Sequence, residues 1–186
     1  TTMSKARYRP NVVFTSLSPN QSSRNGARPR LIVVHSTESD NRPGESDLRG
    51  VASWFANPVS QASSHVIVDA DGNSARCVED NRKAWTQAWF NPWSLSIEQV
   101  GRANQTKWAR DELRECARWV ARWSLLFDIP ATKGVVDPVT GRIIKSGVVR
   151  HSDLGNRGGN HNDPGDGYPL ASTLALARFY RAHLSK

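Results

Sequence analysis

Leu31-Ile32-Val33-Val34 is an unbroken run of branched apolar residues that ends on a histidine, His35. Successive side chains of a strand point to opposite faces, so a strand without polar alternation is expected to be buried on both. A second short run, Gly147-Val148-Val149-Arg150-His151, repeats the pattern and again ends on a histidine. Between them lie a strand in SLSIEQVG (94–101) and a hairpin in HVIVDADGNSARCV (65–78), where Asp71-Gly72 suits a tight turn. Helical spacing is clearest from Trp108 to Phe127, with Leu113, Cys116, Ala117, Val120, Ser124 and Phe127 as its core stripe and Trp119 and Trp123 flanking it. A shorter helix is expected from Ser46 or Asp47 to Ala56, stopped by Pro58, and a last one from Pro169 to His183. The sum is an α/β fold: one domain with a central mixed sheet flanked by helices.

A chain of 186 residues with 38% hydrophobic content can bury such a core without disulfides. Cys77 and Cys116 fit no CxxC pair and read as two buried thiols. Residues 1–29 are rich in Pro, Ser and Asn and read as an extended arm or linker ahead of a domain over 30–186. Residues 128–147 read as a loop-rich insert with a small hairpin in VVDPVTGRII. No apolar stretch has the length of a membrane span, and the polar, basic start has no signal-peptide pattern. The net charge of +8 favours an anionic partner. Its basic residues are dispersed, and no helix-turn-helix, finger or RNP pattern points to nucleic acid.

The chemistry starts from the histidines. His35 and His151 each close a short apolar strand before a polar turn, and strand ends deliver side chains to one rim of a sheet. A neutral imidazole is a good zinc ligand, and a catalytic zinc site uses three protein ligands. A third ligand is sought in GGNHNDPGDG (158–167), which offers His161, Asp163 and Asp166. Against this stands the ordinary alternative of hydrogen-bonded histidines at strand ends. His183 lies on a polar helix face, away from these segments, and His65 opens a strand where it either faces a cleft or packs.

LIVVHSTES, SSHVIVDADGN, SLSIEQVG, VVRHSDLG and NDPG occur in that order from about residue 30 to 180. The set resembles the zinc-dependent N-acetylmuramoyl-L-alanine amidases, a superfamily that includes phage lysozyme-amidases and the peptidoglycan recognition proteins. The resemblance implies one zinc ion held by His35, His151 and Asp163, with Glu98 as general base. Many relatives carry a lysine where this chain has His161, some a tyrosine where it has Ser64, and a histidine is common where it has Thr86. His161 is then the candidate for stabilising the oxyanion, by a hydrogen bond or a positive charge.

The activity implied is hydrolysis of the amide between N-acetylmuramic acid and L-alanine of the peptidoglycan stem peptide, for cell-wall lysis. Substrate contacts are expected from His65, from Trp85, Trp89 and Trp93 in AWTQAWFNPW, and from Arg157, with Arg150 a further cation for stem-peptide carboxylates. Aromatic faces stack on sugars or peptide, although some of these rings would serve equally to anchor the loop. The expected context is a bacteriophage endolysin: a monomeric module, alone or within a multidomain lysin, made in a host cytoplasm and acting at the wall. The alternatives are a wall-recycling amidase of the cytoplasm and a binding-only recognition module. Occupied ligand positions argue against the latter.

Overall fold

Six strands build the central sheet in the order β1-β5-β4-β7-β3-β10. They are β1 (Val12–Thr15), β3 (Leu31–Ser36), β4 (Val66–Val68), β5 (Ser74–Arg76), β7 (Ser94–Gln99) and β10 (Gly147–Arg150). This computed structural model describes residues 6–184. Only the β4–β5 hairpin is antiparallel; β4, β7, β3 and β10 run parallel, and β1 joins the edge parallel to β5. Two small ribbons complete the strands: β2 (Gln21–Ser23) with β6 (Arg82–Ala84), and β8 (Val135–Val136) with β9 (Ile143–Lys145). The fold is thus a mixed α/β domain.

The apolar runs are buried on both faces, and their parity sorts the core into layers. Ile32 and Val34 of β3, Leu95 and Ile97 of β7, and Val148 of β10 face one side. There they meet helix α2 (Arg110–Phe127) and helix α3 (Leu170–Leu184) through Cys116, Ala117, Val120, Leu174 and Ala177. Leu31, Val33 and Val149 face the opposite side and pack on Phe90 and Leu154 of two 3-10 segments, Ala88–Trp93 and His151–Gly158. Helix α1 (Ser46–Ala56) covers the rest of that face, with Leu48, Ala52 and Phe55 against Ile67 and Ala75.

Trp119 and Trp123 lie in the centre of the first layer, both fully buried, rather than beside the stripe. Cys77 and Cys116 are buried, free and unlinked, and burial pushes both thiols up to about 12. Residues 6–29 do not hang off the domain. They supply the edge strand β1 and strand β2, and they bury Arg24 against the body. The Arg24 guanidinium donates to the carbonyls of Pro92 (2.8 Å) and Ser94 (2.9 Å) and meets His65 Nε2 at 3.0 Å, which pins the tryptophan-rich segment from below.

Helix α2 also buries two acids that its hydrophobic periodicity hides. Glu115 is well served, by Asn11 N, Ser74 Oγ and Arg118. Glu112 receives one bond, from Asn41 Nδ2 at 3.0 Å, and its Oε1 has no partner. Burial pushes Glu112 up to about 8. Its carboxyl therefore holds a proton in the fold that the unfolded chain releases near its ordinary value of about 4.3. This contribution to stability is complete below that value and is lost as pH rises through about 8, at up to about 1.4 kcal/mol per pH unit. Glu112→Gln stays neutral throughout. Urea melts of this variant between about pH 5 and about pH 8 are expected to lose less stability than the parent, and equal slopes would refute the assignment.

Candidate metal centre and cleft

Strand register brings the candidate residues together. In the parallel pairing of β3 with β7, His35 stands opposite Glu98, and in that of β3 with β10, Val34 stands opposite Arg150, the residue before His151. Parity then selects the face: His35 follows Leu31 and Val33, and His151 follows Val149. The carboxyl ends of parallel strands are where α/β sheets place their sites, because the chain leaves them in loops free to vary. Asp163 comes from the loop before α3 and is locked by its backbone, since Ser152 N donates to the Asp163 carbonyl at 2.8 Å.

Nδ1 of His35 lies 3.0 Å from Nδ1 of His151. Asp163 Oδ1 is 3.1 Å from the His151 nitrogen, and Oδ2 is 3.6 Å from that of His35 while accepting from Ser36 N at 3.1 Å. One ligand atom from each of the three residues lies within 4.8 Å of the others, and all three residues are buried. His151 Nε2 donates to the Gly158 carbonyl at 2.7 Å, which leaves its Nδ1 lone pair directed inward. Burial and then the charge of His151 lower His35 to about 4, so it is neutral at neutral pH. Burial resists ionisation of Asp163, yet the two imidazoles hold it well below the usual carboxylate range. Two imidazole lone pairs and a carboxylate converging in a buried space are held best by a cation. The donor set therefore fits a metal ion.

Around this cluster opens a cleft of about 410 Å³. Glu98 lines it, with its side chain only 12% exposed, Oε1 4.0 Å from His35 Nδ1 and Oε2 without any partner. Burial first, then Asp163 and Glu38, push its carboxyl well above the ordinary range. His161 stands at the rim, more than half exposed, stacked on His151 at a ring distance of 4.2 Å and 3.4 Å from Asp163 Oδ1. Trp85 and Thr86 form one wall.

Other expected contacts fall elsewhere. His65 is fully buried, bonded to Ser96, Arg82 and Arg24, and does not line the cleft. Trp89 and Trp93 pair with each other at 5.9 Å, and the Arg157 guanidinium sits 5.2 Å above Trp89. Both rings line a separate depression of about 350 Å³ beside Arg142. Arg150 spends its guanidinium on Asp153 and Asp166, which also removes Asp166 from the ligand cluster. Among the lining residues that the sequence does not single out are Trp54 and Glu38. Exposed Trp54 stands off the buried stripe of α1, and Glu38 sits at a positive φ of 56° just after the His35 strand. The run HSTES, contiguous with His35, was the one available signal for Glu38.

Fold and site define an α/β protein with a candidate mononuclear metal centre at the carboxyl ends of its parallel strands. The chain belongs to the N-acetylmuramoyl-L-alanine amidase family, which it matches over residues 25–166. N-acetylmuramoyl-L-alanine amidase A of Achromobacter lyticus is 35% identical over 60 residues, 32% of this chain and 34% of that protein. The matched stretch thus spans about a third of that curated relative. Among solved structures, Staphylococcus aureus hydrolase AmiA in complex with its ligand superposes with a TM-score of 0.65 at 21% identity, covering 93% of this chain and 83% of that one. N-acetylmuramoyl-L-alanine amidase LysC from Clostridium intestinale URNW gives 0.62 at 17%, covering 91% and 98%. The endolysin of Thermus scotoductus MAT2119 bacteriophage Ph2119 gives 0.53 at 18%, covering 82% and 86%. At these identities the likeness is one of fold.

Proposed function

We propose that this chain is a zinc-dependent amidase that cuts the bond between N-acetylmuramic acid and L-alanine of the stem peptide, as the lytic module of an endolysin. The observation that carries the reading is the convergence of the His35, His151 and Asp163 ligand atoms beside Glu98, whose Oε2 has no partner. Two nitrogens and one carboxylate oxygen suit zinc better than magnesium or calcium, which prefer all-oxygen shells. Bound there, zinc would lower the pKa of a water towards neutrality and polarise the scissile carbonyl.

The chain's own groups do the rest. Glu98 Oε2 has no other bond to satisfy and takes the proton of the attacking water, then passes it to the leaving amine. Its raised affinity for protons favours the first transfer. His161, exposed at the rim, donates to the oxyanion of the tetrahedral intermediate. Trp85 and Trp54, which both line the cleft, offer apolar surface to the glycan-peptide. A binding-only module would not need an orphaned carboxylate beside a complete ligand set. The basic charge suits an anionic wall. Among the described residues no helix is long and apolar enough to cross a membrane.

Digestion of purified peptidoglycan, with products read by mass spectrometry, tests the reading. Stem peptides with a free L-alanine amine are expected, lost on chelation and restored by zinc. Intact muramyl-peptide linkages after incubation with folded, zinc-loaded protein would overturn it.

A further inference from the structure

Trp89 and Trp93 turn away from the metal cleft into a depression of about 350 Å³, which Arg30, Gly141 and Arg142 line with them. Trp93 immediately precedes β7, and its carbonyl accepts from the backbone N of Arg30, the residue before β3, at 2.7 Å. The depression therefore lies at the amino end of β3, and His35 at the carboxyl end. Arg30 and His35 stand five positions apart, about 16 Å at about 3.3 Å per residue of strand. The two pockets share no lining residue.

Trp89 is a fixed platform. It is 49% exposed, yet the Arg157 guanidinium lies 5.2 Å from its ring centroid and the Gly141 backbone abuts its indole edge. Gly141 has a φ of 77°, and a Cβ there would come within 2.6 Å of Trp89 Nε1, so only glycine permits this approach. Trp93 stands 5.9 Å away at 51°, and the two rings present angled walls to one hollow.

The surroundings of the rings are cationic. Arg30 donates to neutral oxygens, Ser146 Oγ and the Ile143 carbonyl, each at 3.3 Å. Arg157 donates to the Val139 carbonyl at 3.3 Å. Arg142 is exposed, and among the described residues no acid lines the depression. Asp137, on the same loop, turns Oδ1 to the backbone N–H groups of Val139 and Thr140. Arg150, by contrast, is neutralised by Asp153 and Asp166.

A saccharide with an anionic substituent matches both features, with apolar ring faces for the indoles and a carboxylate for the guanidinium groups. The hydrolysis proposed above makes such a group. Each cut leaves the lactyl carboxylate of muramic acid bare, where the intact strand carries a neutral amide. We propose that this depression is a second glycan site, separate from the metal cleft, that binds the peptide-stripped glycan strand. Trp89 and Trp93 pack against its sugars, and Arg30 and Arg142 meet its lactyl carboxylates. The inference rests on the amidase reading for the origin of that strand. Such a site holds the protein on glycan already processed, beside stems still to be cut.

The test titrates the full chain with an oligomer of alternating N-acetylglucosamine and N-acetylmuramic acid bearing free lactyl carboxylates, and with the same oligomer carboxamidated. Neither contains the bond that the cleft is proposed to cut, so binding is read independently of hydrolysis. Indole ¹H–¹⁵N signals, assigned with single Trp→Phe variants, report the place. Those of Trp89 and Trp93 are expected to shift. Shifts confined to Trp54 and Trp85 put the glycan in the cleft and overturn the inference. The free acid is expected to bind about 3–10-fold tighter than the carboxamide, a margin that shrinks in Arg142→Gln. Trp89→Ala is expected to weaken binding by about 3–10-fold. Equal affinity for acid and carboxamide overturns the inference, as does tighter binding of a single-stranded oligonucleotide. Binding as expected by a protein that fails the digestion assay overturns the amidase reading and leaves the glycan site standing. An active amidase without such binding overturns the glycan site alone.

Discussion

Asp163→Ala is expected to lose zinc on dialysis and to cut peptidoglycan hydrolysis by about 10³-fold or more, equivalent to about 4 kcal/mol of lost transition-state stabilisation. The carboxylate faces both imidazoles, and it also accepts from the Ser36 backbone at 3.1 Å. Its removal leaves two buried imidazoles with their Nδ1 atoms 3.0 Å apart and no anion to balance a cation between them. The measurement is paired: metal content by atomic absorption and product release from purified walls. A variant that keeps a full equivalent of zinc and full activity would show that the ligand set is wrong, and attention would pass to His161 at 3.4 Å from the same oxygen.

The second large effect separates proton transfer from metal binding. Glu98→Gln is expected to lower kcat by about 10²–10⁴-fold, the usual worth of a positioned general base. Zinc content and affinity should stay close to parental, because Glu98 Oε1 stands 4.0 Å from His35 Nδ1 and Glu98 lies outside the buried three-residue ligand cluster. The amide is nearly isosteric and leaves the β3–β7 register undisturbed, so folding offers no alternative explanation. Undiminished turnover in a zinc-loaded Glu98→Gln would mean that another group takes the proton. Glu38, the acid lining the cleft that the ligand cluster does not use, would be the first to examine.

On the proposed reading, the two changes would divide the site into a part that holds the ion and a part that moves the proton. The division has a structural origin. His35 and Glu98 occupy paired positions on neighbouring parallel strands, one fully buried and the other opening to the cleft. Asp163 arrives from a loop and would complete the proposed ligand set beside His35 and His151.

Much of this was legible in the chain itself. Unbroken apolar runs in Leu31–Val34 and Val148–Val149 dictate strands covered on both faces, because a period of two leaves neither face polar. With the strands parallel and the pattern known, parity alone puts His35 and His151 on one side of the sheet. The Asp71-Gly72 turn, with Gly72 at a positive φ of 76°, and the three helices were likewise local matters of turn chemistry and spacing.

Tertiary structure decided what depends on partners distant in sequence. Composition alone makes residues 1–29 an arm, but pairing of β1 with β5 and burial of Arg24 make residues 6–29 part of the body. The aromatic density of residues 85–93 gives no means of telling Trp85, which lines the cleft, from Trp89 and Trp93, which turn to another depression. Nor does it distinguish His65, whose pKa burial and Arg24 lower to about 3, from a cleft histidine. Spacing records which side of an element a residue occupies. Whether that side meets solvent, a ligand or another part of the chain is set by long-range packing, and the tautomer each histidine adopts is set by the atom that packing places beside it.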